Sequence, residues 1–369
     1  MTKPGMIITG ATGFLGGRLI RYLSNQYTIF ALARRSPQEV GGLEGPDIHW
    51  FQVDIGHFDP LREVFYHIRE MGGAELVLHM AGYYDFTGEE HPEYTRTNVL
   101  GTRNVLELSV PLQLKKFIFT SSVAACPFPP PGEAITEATP PTAPPPYSRS
   151  KRKGEEMLAL FKDELPSCIL RLAAIFSNWC EYEPMHNFLA TWFSGDWNAR
   201  ILGGRGQWAI PYLHVRDLLT FYLRVVEKAD ELKPLEVLQA SPNGCTTHLQ
   251  LFREATGSYY NEDRSPIYVP KPLARMGIVM REVLGRLTGT MPFERSWMGE
   301  YIDLKLNIDA TRTHRRLAWE PHPELDILNC IPVMVHNMRS NPEEWQKRYE
   351  LSRKGKKVRG KVKNVIPQG

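Results

Sequence analysis

Short apolar runs alternate with stretches of helical spacing through the first 180 residues. Met6 to Thr9, Thr28 to Ala33, Ile48 to Val53, Leu76 to Met80, Phe117 to Thr120 and Ile169 to Phe176 read as strands. Between them Phe14 to Ser24, Pro60 to Glu70, Pro92 to Val110 and Ser148 to Asp163 have helical spacing, with charges on the presumed outer face. This rhythm predicts an α/β fold with a doubly wound parallel sheet. From about Gly244 the alternation weakens and a smaller, mainly helical C-terminal part is expected.

Three stretches break the rhythm. Residues 127–146 carry nine prolines, too many for a helix or a central strand, and predict an ordered loop or lid. Thr247-His248-Leu249-Gln250 has the spacing of a capping box and opens a helix expected to run through Thr256. Pro272 to Leu287 places Leu273, Met276, Val279, Met280, Val283, Leu284 and Leu287 near one helical face, with Arg275, Arg281 and Arg286 among them. Such a helix could cover a lipid-like substrate, rest on a membrane surface, or pack on its own domain.

Composition narrows the class without deciding it. The chain has 369 residues, 42% hydrophobic and 23% charged, with a formal charge of +3, which fits a globular enzyme and excludes a disordered or fibrous chain. Cys126, Cys168, Cys180, Cys245 and Cys330 are far apart and odd in number, so neither a disulfide framework nor a metal knuckle is expected. No apolar run approaches the ~20 residues of a spanning helix, and the first residues lack the apolar core of a secretory signal. A cytoplasmic protein is expected, peripheral to a membrane if its end binds one. That end, Lys347 to Lys363, holds nine Lys or Arg against Glu350, a local +8 that leaves −5 for the remainder. It would attract phosphates or an anionic membrane, or stay a solvated, disordered end; specific nucleic-acid recognition is not expected.

The candidate chemistry begins at Thr9-Gly10-Ala11-Thr12-Gly13-Phe14-Leu15-Gly16, after the first strand and at the opening of the first helix. Exposed N–H groups and the helix dipole can hold a pyrophosphate there, and glycines let the backbone approach it. The second strand ends in Arg34-Arg35, where an NAD-selective site would place an acid for the ribose hydroxyls. Arginine suits a 2′-phosphate, so NADP(H) is expected in preference to NAD. Asp54, followed by Ile55, could accept from the adenine amino group or serve as a turn residue. Tyr147 and Lys151 lie four apart on one face of an expected helix start, and an adjacent ammonium would favour phenolate and lower the tyrosine pKa. Tyr301 and Lys305 share that spacing, but only Tyr147 follows a strand ending in hydroxyls, Thr120-Ser121-Ser122, able to bond a substrate carbonyl.

TGATGFLG, Leu78-His79-Met80-Ala81-Gly82, Asn98-Val99-Leu100-Gly101-Thr102, Thr-Ser-Ser at 120–122, Tyr147-x-x-x-Lys151 and His214-Val215-Arg216-Asp217 occur in this order. In that combination the chain resembles the extended short-chain dehydrogenases/reductases over about residues 5–325, ending near Arg316-Leu317-Ala318-Trp319-Glu320-Pro321. The resemblance implies a Rossmann-type domain over 1–177 and about 210–243, a substrate-binding part over about 178–209 and 244–340, and a basic tail from 341. It implies Tyr147 as general acid/base, Lys151 as the residue that lowers its pKa and holds the nicotinamide ribose, and Ser122 as the group polarising the carbonyl, with Ser121 as backup. Asn98 would order the region around the nicotinamide. Gly10, Thr12, Gly13, Phe14, Leu15, Gly16, Arg34, Asp54, Ile55, Met80, Ala81, Gly82, Thr120, Tyr147 and Lys151 would contact the nucleotide. His79 is expected as a packed strand histidine and Asp217 as a helix cap or anchor. Relatives often dimerise through a four-helix contact, so a homodimer is an expectation too. No metal is implied.

Departures from subfamily patterns narrow the substrate. Dehydratases resembling this family carry an Asp-Glu pair where this chain has Val123-Ala124, so water elimination is not expected. Many sugar-nucleotide epimerases place Asn, to meet the diphosphate, where Ala174 stands; this counts against a nucleotide sugar without excluding one, because Asn178 lies close by. Val269-Pro270-Lys271-Pro272-Leu273 instead resembles the hydroxysteroid dehydrogenase and dihydroflavonol reductase side. Trp179, Tyr182, Phe188, Trp192, Phe193 and Trp197 could wall an apolar pocket or form core, and Arg205 could meet an anionic group or lie in an exposed turn. The expected activity is NADP(H)-dependent reduction of a carbonyl, or oxidation of a secondary alcohol, on an apolar or lipid-like molecule. An NAD-retaining sugar-nucleotide epimerase and a non-catalytic NADP-sensing or scaffold protein are the alternatives.

Overall fold

A computed structural model describes residues 3–353. The chain opens with β1 (Gly5–Thr9), α1 (Gly16–Leu23), β2 (Thr28–Ala33), β3 (Ile48–Gln52), α2 (Phe58–Glu70) and β4 (Leu76–His79). A π-helical turn over Tyr94–Gly101 leads into α3 (Thr102–Ser109), then β5 (Lys116–Ser122), α4 (Pro146–Leu160), β6 (Ser167–Leu172) and β7 (Ala174–Phe176). Next come α5 (Glu183–Trp192), β8 (Ile201–Gly203), β9 (Ala209–Ile210), β10 (Tyr212–His214), α6 (Val215–Glu227) and β11 (Glu236–Ala240). The chain continues through β12 (Thr246–Thr247), α7 (His248–Tyr260), β13 (Ile267–Val269), α8 (Lys271–Thr288), α9 (Thr311–Leu317), α10 (Ile327–Ser340) and α11 (Pro342–Arg353).

Seven strands pair in parallel in the order β11-β6-β5-β4-β1-β2-β3, so the chain reverses direction across the sheet between β1 and β4. Alternation along each strand explains why helices cover both faces. Met6 and Ile8 point to a core shared with Leu19 and Ile20 of α1 and Phe221 and Tyr222 of α6. Ile7 points the other way, to Phe65 of α2, Val105 of α3 and Leu158 of α4. Strands β4, β5 and β6 are buried almost throughout, as a sheet covered twice requires. A separate core joins α5, α7, α10 and α11 through Met185, Trp192, Phe252, Ile331, Met334 and Trp345.

The structure departs from the sequence pattern at identifiable points. The apolar run 169–176 is two strands, broken at Ala173, whose N–H donates to Ala240 O at 3.0 Å. Strand β11, which the pattern did not single out, closes the sheet beside β6. The capping box forms as expected, Thr247 accepting from Gln250 N, and its helix runs on to Tyr260. Residues 127–145 are an irregular segment, pinned where Arg171 Nη1 donates to Thr139 O at 2.7 Å and Ala143 N to Ala125 O at 3.0 Å, and Pro146 already opens the next helix. The end expected as disordered from 341 begins instead as α11, because Trp345 and Tyr349 are buried and Tyr349 stacks on His186 at 3.6 Å. Most of the basic run, from 354 onward, lies outside the described residues.

Candidate active site

The crevice at the C-terminal ends of β1 and β4 is where an open parallel sheet binds nucleotides, and this sequence shapes it with glycine. Gly10 has φ +72°, and a Cβ on it would stand 2.9 Å from Ala81 N. A Cβ on Gly16 would overlap Gly10 O and lie 2.7 Å from Ala11 Cα. The turn therefore closes against both the start of α1 and the segment after β4, leaving backbone where a phosphate can approach. Helix α1 starts with Leu15 in the capping position and no side-chain acceptor, so first-turn N–H groups remain for an anion. The Thr9 hydroxyl fixes the opposite wall, accepting from Met80 N at 3.2 Å and Ala81 N at 3.1 Å and bonding His79 Nδ1 at 2.8 Å.

His79 is the packed histidine expected. Its Nε2 meets the Thr102 hydroxyl at 3.0 Å, and burial pushes its pKa down to about 3. At the end of β2, Arg34 is exposed, with Glu93 3.4 Å away, and Arg35 donates to Thr12 O at 2.9 Å. The Arg35 guanidinium thus meets the glycine turn, while that of Arg34 stands beside Glu93. Asp54 follows its turn-residue reading: Oδ1 accepts from Gly56 N at 2.8 Å and Oδ2 from Arg96 at 2.9 Å. Ile55 is buried and its carbonyl accepts from Asn104 at 2.8 Å.

The reacting end assembles from β5 and α4. Pro146 starts α4, so Tyr147 sits in the first turn and Lys151 one turn on, both on the face toward the sheet. Ser122, the last residue of β5, hydrogen-bonds the Tyr147 hydroxyl while its own oxygen accepts from Ala124 N at 3.2 Å. Ser121 is committed elsewhere, donating to buried Glu155 at 2.6 Å, so the backup assignment lapses. Thr120 turns its hydroxyl into the core toward Tyr222 at 2.7 Å and reaches the site only through its carbonyl, which accepts from Lys151 Nζ at 2.8 Å. Tyr301 ends a 3-10 turn rather than opening a helix, so its spacing to Lys305 has no equivalent geometry.

Electrostatics correct one expectation. Burial pushes the Tyr147 phenol up to about 12, opposed by the Ser122 hydrogen bond, and Lys151 stands 5.9 Å from the ring centre. Burial also pulls Lys151 down to about 8, against the pull of Glu155. The ammonium does not lower the phenol's pKa in this geometry; desolvation wins, and the Tyr147 hydroxyl is protonated at pH 7. Asn98 lies in the π-helical turn, its amide donating to Tyr83 O at 2.9 Å and Ser150 Oγ at 2.8 Å and accepting from Tyr83 N at 2.6 Å. It clamps the backbone after β4 to α4, and Gly82 fits in the gap between Asn98 and Lys151.

Beyond Ser122 and Tyr147 opens a cavity of about 870 Å³. Tyr182, Phe188, Trp192 and Trp197 from the expected cluster line it, joined by Tyr84, Trp208, Phe293 and Trp297, which no local sequence signal marked. Phe193 is core instead, stacked on Tyr259 at 4.1 Å, and Trp179 lies under Arg348. Pro127, Phe128 and Pro144–Pro146 of the proline-rich segment form another side, and Ala174 faces the same space. Arg205 is an exposed turn residue between two positive-φ glycines. His214, not Asp217, caps α6, accepting from Arg216 N at 3.2 Å; Asp217 is buried within its first turn. Among the described residues no His, Cys, Asp and Glu cluster could hold a metal.

Similarity to known proteins follows the same outline. A putative dihydroflavonol 4-reductase of Synechocystis is 34% identical over 119 residues, 32% of each chain. A 3 beta-hydroxysteroid dehydrogenase/Delta 5-->4-isomerase of Monkeypox virus is 26% identical over 188 residues, 46% of this chain and 51% of the viral one. The chain thus spans a third to a half of these relatives. Among solved structures, UDP-glucose 4-epimerase of Thermotoga maritima with UDP-glucose superposes with a TM-score of 0.69 at 22% identity, over 92% of this chain and 100% of that one, which is likeness of fold. Residues 6–240, from β1 to the last residue of β11, match the description of one family, and on that match the chain belongs to the NAD dependent epimerase/dehydratase family.

Proposed function

We propose that this protein is an NADP(H)-dependent oxidoreductase that reduces a carbonyl on an apolar, ring-bearing or long-chain molecule. The observation that carries the reading is that a cavity walled by aromatic side chains begins at the paired hydroxyls of Ser122 and Tyr147. About 870 Å³ is in the range of sites that enclose small organic ligands. Ala174 and the aromatic wall offer little to a sugar diphosphate.

The glycine turn, the uncapped start of α1 and the Ala81 wall fit a dinucleotide, which when bound would supply the hydride. Arg34 and Arg35 support preference for a 2′-phosphate. Ser122 would donate to the carbonyl oxygen and hold it beside Tyr147. The Tyr147 hydroxyl, protonated at neutral pH, would deliver its proton to that oxygen as charge develops there. Lys151, fixed by the Thr120 carbonyl, would keep a positive charge beneath the site, and Asn98 would hold the backbone on which both depend.

The test is NADPH and NADH binding, followed by turnover of steroid, flavonoid and long-chain carbonyl compounds, for the wild type, Tyr147→Phe and Arg34→Ala. Tyr147→Phe should lose about 10²–10⁴-fold in turnover while still binding NADPH. Arg34→Ala should weaken NADPH about tenfold and leave NADH unchanged. Full activity of Tyr147→Phe would overturn the chemistry. Near-stoichiometric NAD released from the purified protein would move the assignment to an epimerase, and cofactor binding without any turnover to a sensor or scaffold.

A further inference from the structure

Helix α8 is inside out. Of its 18 residues, the buried ones are Glu282 and Gly285. Glu282 accepts from Ser296 N at 2.7 Å and Arg286 Nη2 at 2.8 Å, and Gly285 lies against Pro292 and Thr290. Meanwhile Leu273, Met276, Met280, Val283 and Leu287, spaced three and four apart down one stripe, are 53–81% exposed. Val279 and Leu284 widen the stripe, and Ile267 and Tyr268 of β13 extend it. A helix of this composition normally buries its apolar stripe; a contiguous exposed one marks a docking surface.

The occupant is chosen by charge and by what lies behind the helix. Helix α8 carries Lys271, Arg275, Arg281 and Arg286 against Glu282, +3 on a chain that is −5 outside its basic end. A second copy would set that positive face against itself, whereas an anionic lipid surface would offset it. Arg275 pairs with Glu300 and Arg281 with Glu294 beside the stripe, so they flank it rather than interrupt it. At about 27 Å the helix has the length of an interfacial helix, and no helix among the described residues is long and apolar enough to cross a bilayer. Leu273 belongs to both sides: it is exposed on the stripe and, with Ala274, Gly277 and Ile278, lines the aromatic cavity.

We propose that α8 lies in the surface of an anionic lipid bilayer, its stripe among the acyl chains and its inner face walling the cavity, so that apolar substrate passes from lipid to site along the helix. The route taken by substrate rests on the reading of the cavity above; the seating of α8 does not.

The experiment is flotation of the full chain with vesicles of phosphatidylcholine alone or with about a third phosphatidylserine. It compares the wild type with Met280→Ser/Leu284→Ser/Leu287→Ser, with Leu287→Glu, and with a chain ending at Arg353. None of the substituted residues lines the cavity, so NADPH binding and melting temperature should match the wild type and certify the fold. The wild type should float with the anionic vesicles. The triple variant should lose binding about tenfold or more and Leu287→Glu severalfold, while the chain ending at Arg353 should keep most of it. The proposal is overturned by a wild type that stays with free protein, by a triple variant that floats unchanged, or by loss confined to the shortened chain, which would assign binding to the basic end. It is equally overturned by a lipid-free dimer that the triple variant converts to monomer while vesicles are ignored. Because flotation needs no turnover, failure of the oxidoreductase reading would leave this result standing.

Discussion

Lys151 holds its charge in a place that charge does not favour. Its ammonium is buried between Phe119 and the Thr120 carbonyl, and desolvation draws its pKa to about 8 although Glu155 pulls the other way. Reduction needs a protonated Tyr147 and, on this reading, a charged Lys151. Tyr147 stays protonated to about pH 12, so Lys151 is the group that fails first as pH rises. The reduction rate should therefore hold below pH 8 and decline through an apparent pKa near 8, and a pH–rate profile flat to pH 10 would refute the role. Ser122, Tyr147, Lys151 and Asn98 were all legible as residue types in known spacings. Their consequences were not: the distance of Lys151 from the phenol, the capture of Ser121 by Glu155 and of Asp54 by Arg96 are matters of rotamer and burial that spacing does not encode.

At the scale of elements, the glycine turn separates close approach from mere flexibility. Gly16→Ala should place a methyl against the Gly10 carbonyl and Ala11, costing about 1–3 kcal/mol and weakening nucleotide binding, because the turn must move. The adjacent Gly17→Ala meets nothing nearer than 3.9 Å and should stabilise the helix by about 0.5–1 kcal/mol. Thermal melting of the two variants checks the pair; equal effects would mean that crowding at Gly16 does not govern the turn. Strands β1, β2 and β4 were readable because parallel strands covered on both faces are nearly continuous apolar runs. Strand β11, with Glu236 and Gln239 buried in it, broke that rule and was missed. Helix α11 was hidden by its charge: Trp345 and Tyr349 anchor it to α5 and α10, and the Lys and Arg around them read as a solvated end. The cavity wall was half visible, since Trp208, Phe293 and Trp297 come from separate segments that only the fold brings together.

Across the whole molecule, two fully enclosed histidines set an acid limit. Burial lowers His79 to about 3 and His214 to about 4, each buried to 2% exposure or less. The unfolded chain binds their protons near pH 6.5 and the folded chain does not, so stability falls as pH drops below 6.5 and continues falling toward 4. At pH 5 each should have removed about 2 kcal/mol. Denaturant titrations at pH 7 and pH 5 should show that loss, and His79→Asn should recover part of the slope; a pH-independent midpoint would contradict it.

The order of strands also imposes a schedule on the newborn chain. β6 ends at Leu172, but its outer neighbour begins only at Glu236. At ordinary rates of synthesis the intervening residues take roughly 3–13 s to appear. For that interval β6, buried along its length in the finished fold, has no strand on its outer edge, and a chain stalled before Glu236 would offer that edge to any other strand within reach. The stretch of message between these two points is thus where slowed translation would be most dangerous to this protein, and where a chaperone bound to the emerging chain would do most good.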